Sequence, residues 1–250
     1  GVPGGNIRNA FLFNEARVTA REIITLEVEQ LTALGVTNPN TFDGTRDPLL
    51  GVFEFNGQDV TVINNHLSSR FGSDPIFGAF QPFNQGGEAE REQQAATLNE
   101  VVDALLAVDP GRNIIVAGDL NTFEFTNDLT EILPGIGDEQ VLTNLITSVL
   151  EDDEASTFNF QGNSQVLDNI FATNGLLQNA EVDIVHVNNE FVDFASDHEP
   201  VVARFNLPAI IIEQDEDLQL VGTNDDDILV GQNGNDTIDG GNGDDLIVAS

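Results

Sequence analysis

The sequence contains no cysteine and no lysine. Without cysteine, its 250 residues can form no disulfide and offer no thiol nucleophile, so packing and bound ions must hold the fold. The 8 basic residues, all of them arginine, stand against 43 acidic residues and leave a formal net charge of -35. Such a surface opposes the nonspecific nucleic-acid affinity that basic side chains provide by displacing counterions. No apolar run is long enough to cross a membrane, so we predict no membrane span.

What the chain does contain is a series of polar residues placed directly after apolar runs. Residues 113–117 form a short apolar run that predicts a buried strand, and Asp119 and Asn121 follow it. Side chains two positions apart leave a strand on the same side, so we expect this pair to point the same way. A carboxylate beside an amide suits a hard cation or a phosphoryl oxygen, although Asp-x-Asn is also a common start of a loop.

Similar arrangements occur elsewhere in the chain. An apolar run leads into His66, Asp168 stands between apolar residues, and Asp197 and His198 directly precede another apolar run. Two of the three histidines therefore lie at predicted strand ends, beside carboxylate or amide groups. Strand ends hold side chains rigidly, so these groups can converge on one point. A metal-assisted hydrolase is assembled in this way.

In this order and at these intervals, the polar residues resemble those of the endonuclease/exonuclease/phosphatase superfamily, which has the deoxyribonuclease I-like fold. Three segments are similar to its bacterial extracellular-nuclease branch: NIRNAFLF at 6–13, RDPL at 46–49 and NNHLSSR at 64–70. The resemblance covers about residues 5–206. It implies an α+β fold, a four-layer αββα sandwich, and in-line attack of water on a phosphodiester.

The resemblance also implies roles for individual residues. His198 would be the general base, or the partner of the attacking water, and Asp168 would bond to its other ring nitrogen to fix the tautomer. Asp197 would bind a divalent metal, Mg²⁺ or Mn²⁺, that polarises the phosphate.

The remaining family positions fall on residues that would hold the phosphate. Asp119 and Asn121 would position the phosphoryl group or the nucleophile, and Asp119 could bind a second ion. His66 would donate to a nonbridging oxygen or assist the leaving group. Arg46 would make a charge-assisted contact with the phosphate.

The sequence departs from the family at its start. The family's opening strands carry an Asn and a metal-binding Glu, and neither has a counterpart after Gly1. We therefore expect a sandwich that is incomplete at its N-terminal side, belonging to a longer nuclease. An acidic residue that usually supports the first histidine is replaced by Ile7, so we expect His66 to lack its orienting partner.

Three copies of a glycine- and aspartate-rich motif follow one another near the C-terminus with a nine-residue period. They resemble repeats-in-toxin, the Ca²⁺-binding repeats of parallel β-rolls, in which glycines permit a tight turn whose carbonyls and Asp side chains are ligands. In that family two repeats make one coil, so the first and third copies stack. Asp227 and Asp245 would complete one Ca²⁺ site, and Asp236 would need a fourth copy. A disordered acidic tail is the alternative.

These features divide the chain into three parts. Residues 1–207 form the hydrolase-like domain, residues 208–217 an acidic linker, and residues 218–250 the Ca²⁺-binding repeats. Within the first part, Asn56-Gly57 is a hairpin signal between two alternating runs. The spacing of apolar residues predicts a helix over residues 88–108.

For several other conspicuous residues we expect a structural role rather than a functional one. The loop that follows His66 contains four phenylalanines, at positions 71, 77, 80 and 83. We expect them to be buried against the sandwich, with base-stacking surfaces as the alternative. We expect His186 to be a packed or edge residue of a strand rather than a ligand, and residues 151–154 to form a solvated loop.

The sequence thus predicts a secreted, metal-dependent phosphodiester hydrolase, most simply an extracellular nuclease acting on DNA or RNA, with a Ca²⁺-binding repeat module. The acidic composition conflicts with nucleic-acid binding, unless high salt screens the surface and bound divalent ions reverse the local sign. Two alternatives stay open. One is a small-molecule or lipid phosphatase or phosphodiesterase of the same fold, and the other is a noncatalytic Ca²⁺-binding surface or adhesion segment.

Overall fold

A six-stranded sheet organises the larger part of the chain. The computed structural model describes residues 7–151, 154–188, 193–213, 219–232 and 234–249. The strands of the sheet are β1 (Thr19–Thr25), β2 (Leu49–Phe55), β3 (Gln58–His66), β4 (Asn113–Asp119), β5 (Thr143–Asn144) and β8 (Asp168–Ala172). Their order is β1-β2-β3-β4-β8-β5, in which β3 and β4 are parallel and the other neighbours antiparallel.

The β2–β3 hairpin forms as the sequence predicts. Its two turn residues, Asn56 and Gly57, have φ angles of 51° and 74°, the left-handed values that a two-residue turn between twisted strands requires. The turn fixes the register, and Leu50 pairs with Ile63 on one face of the sheet. The predicted hairpin is confirmed.

Two helices cover one face of the sheet, α1 (Val28–Leu34) and α2 (Glu88–Val108). The apolar positions of α2 recur every three or four residues, and Leu98 and Val102 are fully buried against Ile63, Val116 and Phe171. Each such side chain contributes roughly 1.5–3 kcal/mol through burial. The helix ends before Pro110, and its predicted bounds are confirmed.

The second layer lies on the opposite face of the sheet. It contains the antiparallel pair β9 (Glu181–Ile184) and β10 (Val201–Arg204), and a short helix, α3 (Leu145–Val149), packs with it. Val182 and Ile184 pack in one apolar cluster with Ile170 of β8 and with Ile146. A separate hairpin, β6 (Phe158–Phe160) and β7 (Asn163–Gln165), leads to β8. The predicted α+β class is confirmed.

The C-terminal part is a roll of parallel strands. They are β11 (Ala209–Glu213), β12 (Gln219–Val221), β13 (Asp227–Gly231), β14 (Thr237–Asp239) and β15 (Leu246–Ala249). One sheet has the order β11-β13-β15 and the other pairs β12 with β14, and Ile228 pairs with Leu246 two repeats further on. This is the stacking that the nine-residue period predicts.

Three sequence expectations need comment. Residues 209–213 fall in the expected linker, yet they form β11 and pair with the first repeat strand, because three consecutive isoleucines there extend the roll sheet. Residues 214–217 of that linker and residues 152–153 of the expected solvated loop lie outside the described part of the chain. His186 is exposed and follows the end of β9, so it is neither a packed nor an edge residue of that strand.

In the ranges that the structure describes, no helix combines the length and apolar character needed to span a membrane.

Candidate active site

The register of the sheet brings three of the predicted residues into one row. His66 at the end of β3 pairs with Asp119 at the end of β4, and Asp119 pairs with Asp168 at the start of β8. Directly paired residues project from the same face of a sheet. The three side chains therefore share the face that bears the second layer, opposite the helices.

His198 joins this row from the loop before β10. Its Nδ1 lies 2.6 Å from Asp168 Oδ2, so the Nδ1–H donates to the carboxylate and Nε2 carries the lone pair. The hydrogen bond to Asp168 raises the pKa of His198, and burial opposes it only partly. The pair is therefore an imidazole held in one tautomer with increased basicity.

A buried carboxylate holds the loop that carries His198. Glu199 is 3% exposed, and its oxygens accept hydrogen bonds from the backbone N–H groups of Val187 and Asn188 at 2.9 Å. The Asn188 amide in turn donates to the His198 carbonyl oxygen at 2.6 Å. Sequence reasoning gave Glu199 no role, because its partners are eleven and twelve residues away in a segment with no recognisable motif.

Asp119 lies between the two histidines. Its Oδ2 is 3.3 Å from His66 Nε2 and 3.9 Å from His198 Nε2. Burial and then Asp168 raise the pKa of Asp119 to about 6, whereas burial, Arg46 and His198 lower the pKa of His66 to about 4. At neutral pH an uncharged His66 thus lies beside an ionised Asp119. The expectation that His66 lacks a partner is wrong, because Asp119 reaches it from the neighbouring strand.

Asn121 is held against Asp119 by its own backbone. It has a φ of 52°, and its backbone N–H donates to Asp119 Oδ1 at 2.9 Å. Its side-chain amide donates to Asp119 Oδ2 at 3.2 Å and to the Leu67 carbonyl at 3.1 Å. The two residues are in contact through a turn and not along an extended strand, because β4 ends at Asp119, and this is the loop start that the sequence left as the alternative. Gly118 allows the end of β4 to lie close to β3, since a Cβ at position 118 would lie 1.9 Å from the Asn65 carbonyl oxygen.

Arg46 supports the strand end that carries His66. Its Nε donates to the His66 carbonyl at 3.2 Å and its Nη2 to the Leu67 carbonyl at 2.9 Å. It lines a small separate cavity of about 220 Å³ with Asp47, and not the groove beside His198. Its contact with phosphate stays a prediction.

The donor set at the row suits a divalent ion. Asp119, Asp168 and His198 each offer a ligand atom within 4.8 Å of the others, a combination found at no other place in the described ranges. The negative charge of Asp168 raises the pKa of Asp119. A bound cation would offset this repulsion between the two carboxylates. Asp197 is exposed and is not part of this cluster, so its predicted role as a metal ligand stays a prediction.

A groove of about 550 Å³ opens beside the row and reaches His198 and Asn121. Its lining is largely apolar, with Phe71, Phe123, Phe158 and Phe160 among the residues. The expectation that the loop phenylalanines are buried is wrong for Phe71, Phe77 and Phe80, which are 94%, 81% and 76% exposed, whereas Phe83 is half-buried and packs against Phe123.

Two arginines fix the loop in place. Arg91 of α2 is fully buried, and its Nη1 donates to the carbonyls of Gly86 at 2.7 Å and Ser68 at 3.2 Å. Arg70 places its guanidinium 3.8 Å from the ring centroid of Phe123 and donates to Gln85.

The turns of the roll bring the predicted Ca²⁺ ligands together in one of the two stacks. The backbone N–H of Asp227 donates to Asp245 Oδ1 at 3.0 Å, so the first and third copies are in contact. A Cβ on Gly222 would lie 2.0 Å from the Gly240 carbonyl, which is the close approach of carbonyl-bearing turns that a Ca²⁺ site needs. Asp236 lies on the other stack, beside Gly231.

Comparison with known proteins gives consistent results. Residues 17–199 match the model of the Endonuclease/Exonuclease/phosphatase family, and residues 220–250 match that of the RTX calcium-binding nonapeptide repeat. A search of curated proteins found no match.

Several solved structures share the fold. D. rerio TDP2 complexed with single strand DNA product has a TM-score of 0.50 and 18% identity, over 77% of this chain and 70% of that chain. The mannosyl-6-phosphatase Bt3783 of Bacteroides thetaiotaomicron has a TM-score of 0.52 and 15% identity, over 78% and 69%. An endonuclease/exonuclease/phosphatase from Bacteroides vulgatus has a TM-score of 0.53 and 15% identity, over 78% and 68%.

Proposed function

Since the chain belongs to the endonuclease/exonuclease/phosphatase family and carries RTX calcium-binding repeats, we propose that it is a secreted, metal-dependent phosphodiesterase that cleaves nucleic acid. The observation that carries this proposal is the His198–Asp168 pair, with a 2.6 Å hydrogen bond, placed 3.9 Å from the carboxylate of Asp119. An oriented base beside two carboxylates is what water attack on a phosphodiester needs.

The residues of the row divide the work among them. His198 Nε2 takes a proton from water as the water oxygen bonds to phosphorus, and Asp168 stabilises the resulting imidazolium. The ester P–O bond opposite the attacking water breaks, and the leaving oxygen takes a proton from solvent. His66 stays neutral and keeps its Nε2 3.3 Å from Asp119 Oδ2. Asn121 donates its two amide protons to Asp119 and to the Leu67 carbonyl, so its part is to hold the Asp119 carboxylate in place.

A divalent ion fits this arrangement. Asp119 and Asp168 would hold it, with Asp197 as the further ligand that we propose, and it would supply Lewis-acid polarisation of the phosphate when bound. Mg²⁺ or Mn²⁺ suits carboxylate oxygens and retained water.

The rest of the chain bears on where the protein acts and on its substrate. RTX repeats suit a compartment rich in Ca²⁺, and the absence of cysteine leaves Ca²⁺ and packing to stabilise the fold. The proteins of similar structure differ in their substrates, since one is complexed with a DNA product and another is a mannosyl-6-phosphatase. The fold alone therefore does not identify the substrate. The apolar groove beside His198 favours a second candidate, a lipid phosphodiesterase.

The test is hydrolysis by the full-length protein. Plasmid DNA, RNA, phosphatidylcholine vesicles and a small phosphodiester are each incubated with Mg²⁺, Mn²⁺ or Ca²⁺, with EDTA as the blank. We expect metal-dependent cleavage of nucleic acid that His198→Ala lowers by roughly 10²–10⁴-fold. The exposed His186→Ala is the matched control. No cleavage of any phosphodiester under any of these conditions would overturn the proposal.

A further inference from the structure

An aromatic stripe leads directly away from the candidate base. Phe158 and Phe160 lie at alternate positions of β6, so they share a face, and their rings are 6.5 Å apart and within 13° of parallel. The Phe158 ring lies 4.8 Å from the His198 imidazole, and Phe160 is 43% exposed. A planar group leaving the reaction centre along this side would meet flat apolar faces.

A second aromatic pair lies beside the groove, and its one groove-lining member, Phe123, is only 3% exposed. Phe123 and Phe125 stack at 5.2 Å with an interplanar angle of 15°, and Arg70 lies over Phe123. Arg70 is the one arginine in the groove lining within the described ranges. Asn163 and Gln165 of β7 also belong to the lining and present amide groups. The groove lining thus combines the exposed rings of Phe71 and Phe160 with amide groups, one arginine and the carboxylates of Asp74 and Asp197.

This chemistry selects among nucleic-acid forms. Duplex DNA carries one negative charge per roughly 1.7 Å of axis and is normally bound by arrays of lysine and arginine. Here the chain carries 8 basic residues against 43 acidic ones, and the groove holds one arginine. Stacking of a base on an aromatic ring needs no net positive charge and tolerates any base. Stacking on bases can therefore supply affinity that the few basic side chains here do not supply.

We propose that the groove is a subsite for unpaired nucleobases, which makes single-stranded nucleic acid the substrate of the site. This inference rests on the function proposed above. A base flanking the scissile phosphate stacks on Phe160, the amides of Asn163 and Gln165 contact its edge, and Arg70 meets a neighbouring phosphate. In a duplex the bases are paired and stacked on each other, so they cannot enter the groove.

The test measures binding separately from cleavage. The full chain carrying His198→Ala, which blocks turnover, is titrated against a labelled 12-nucleotide oligothymidylate, the same length of abasic oligonucleotide, and a duplex, all in high salt. We expect the base-containing strand to bind at least tenfold more tightly than the other two. Phe160→Leu should weaken binding of that strand by roughly 5- to 150-fold and leave the abasic strand unchanged.

Phe13→Leu is the matched control. The exposed fraction of Phe13, 39%, is similar to the 43% of Phe160. Phe13 packs on Phe53, however, and is not part of the groove lining. Equal binding of abasic and normal strands, or equal effects of the two substitutions, would overturn the inference. So would competition by phosphatidylcholine vesicles stronger than that by the oligonucleotide, which would identify the groove as a lipid site.

The two proposals fail in different ways. If the wild-type protein cleaves duplex and single strands with equal kcat/KM, and Phe160→Leu leaves KM unchanged, the base subsite is wrong while the phosphodiesterase stands. If base-dependent binding is found but no metal supports cleavage, the subsite stands and the proposed function is wrong.

Discussion

The hydrolase site and the repeat roll bring their acidic residues together by different means. In the hydrolase part, residues between 66 and 198 meet because strand register places His66, Asp119 and Asp168 in one row. In the roll, Asp227 and Asp245 meet because the same short motif recurs eighteen positions later. The first arrangement depends on an apolar core built elsewhere, and the second on turns repeated along the chain.

The two regions also differ in how their negative charge is balanced. In the hydrolase site, Arg46 lies near Asp119, and two histidines contact the carboxylates. The stacked turns of the roll contain several aspartates and no basic residue: Asp225, Asp226, Asp227, Asp244 and Asp245. We infer that the first region is preformed by packing, whereas the second depends on Ca²⁺ to relieve repulsion.

The largest expected effect comes from filling the backbone contact under the active site. Gly118→Ala would place a Cβ 1.9 Å from the Asn65 carbonyl oxygen at a φ of 136°, and we expect a loss of more than ~3 kcal/mol in unfolding free energy. Gly44→Ala, at a φ of 76° with open space around it, is the control and should cost about 1 kcal/mol. Thermal unfolding measures both. Equal losses would show that φ alone, and not the contact, is responsible.

The corresponding change in the roll should leave the hydrolase site intact. Gly222→Ala would meet the Gly240 carbonyl at 2.0 Å and separate the stacked turns. We expect a Ca²⁺ affinity lowered by at least tenfold in calorimetry, with phosphodiesterase activity at saturating metal within twofold of wild type. Loss of activity in parallel with Ca²⁺ affinity would contradict the independence of the two regions.

Removal of Ca²⁺ should distinguish the regions in the unaltered chain. Ligand binding stabilises the folded state by an amount that grows with the logarithm of the ligand concentration relative to Kd. It reaches about 2.7 kcal/mol when the ligand is at 100 times Kd. Chelation with EGTA should therefore expose residues 219–249 to limited proteolysis and leave the range 17–199 resistant. The comparison fails if both parts become sensitive together.

The pKa values of the two site histidines should be shifted in opposite directions. In the metal-free protein, NMR should show His66 with a pKa of about 4 and His198 with a pKa above its ordinary 6.5. His198 then stabilises the fold below pH 6.5 and loses that contribution as the pH rises through its folded pKa. His66 favours the unfolded chain as the pH falls from 6.5 towards 4, because the unfolded state binds its proton more tightly. Coincident titration curves would contradict the two environments.

The smallest expected effect concerns the contact between the regions. The Asn206 amide donates to Asp226 Oδ2 at 2.9 Å, and Asn56 and Gln58 of the β2–β3 hairpin donate to the carbonyls of Leu207 and Pro208. Asn206→Ala should cost no more than about 1 kcal/mol, seen as a small shift in Tm. A larger shift would mean that the roll supports the hydrolase part.

Local signals were enough for part of this structure. The helix over 88–108 and the hairpin at Asn56-Gly57 could be predicted because periodicity and turn chemistry are local properties. The row of His66, Asp119 and Asp168 could be expected only through the family resemblance, since register between distant strands is set by the whole sheet. The contact of Asp119 with His66 was missed for that reason.

Other features left no local signal. The strand at 209–213 was assigned to a linker, because it carries isoleucines without the glycine motif of the later repeats. The exposure of Phe71 and Phe77 was missed because hydrophobic composition predicts burial and says nothing about which surface a binding groove occupies. Arg91 and Glu199 have backbone partners from other segments, and such contacts follow from tertiary structure alone.

The pairing of Asp168 with His198 is the central claim, and one substitution tests it directly. Asp168→Asn keeps the shape of the side chain but removes the charge that fixes the imidazole tautomer and stabilises its protonated form. We expect kcat on nucleic acid to fall by roughly 10²–10⁴-fold with the fold intact. Asp183→Asn, on the exposed side of β9, should leave kcat within twofold. An Asp168→Asn protein as active as Asp183→Asn would contradict the account.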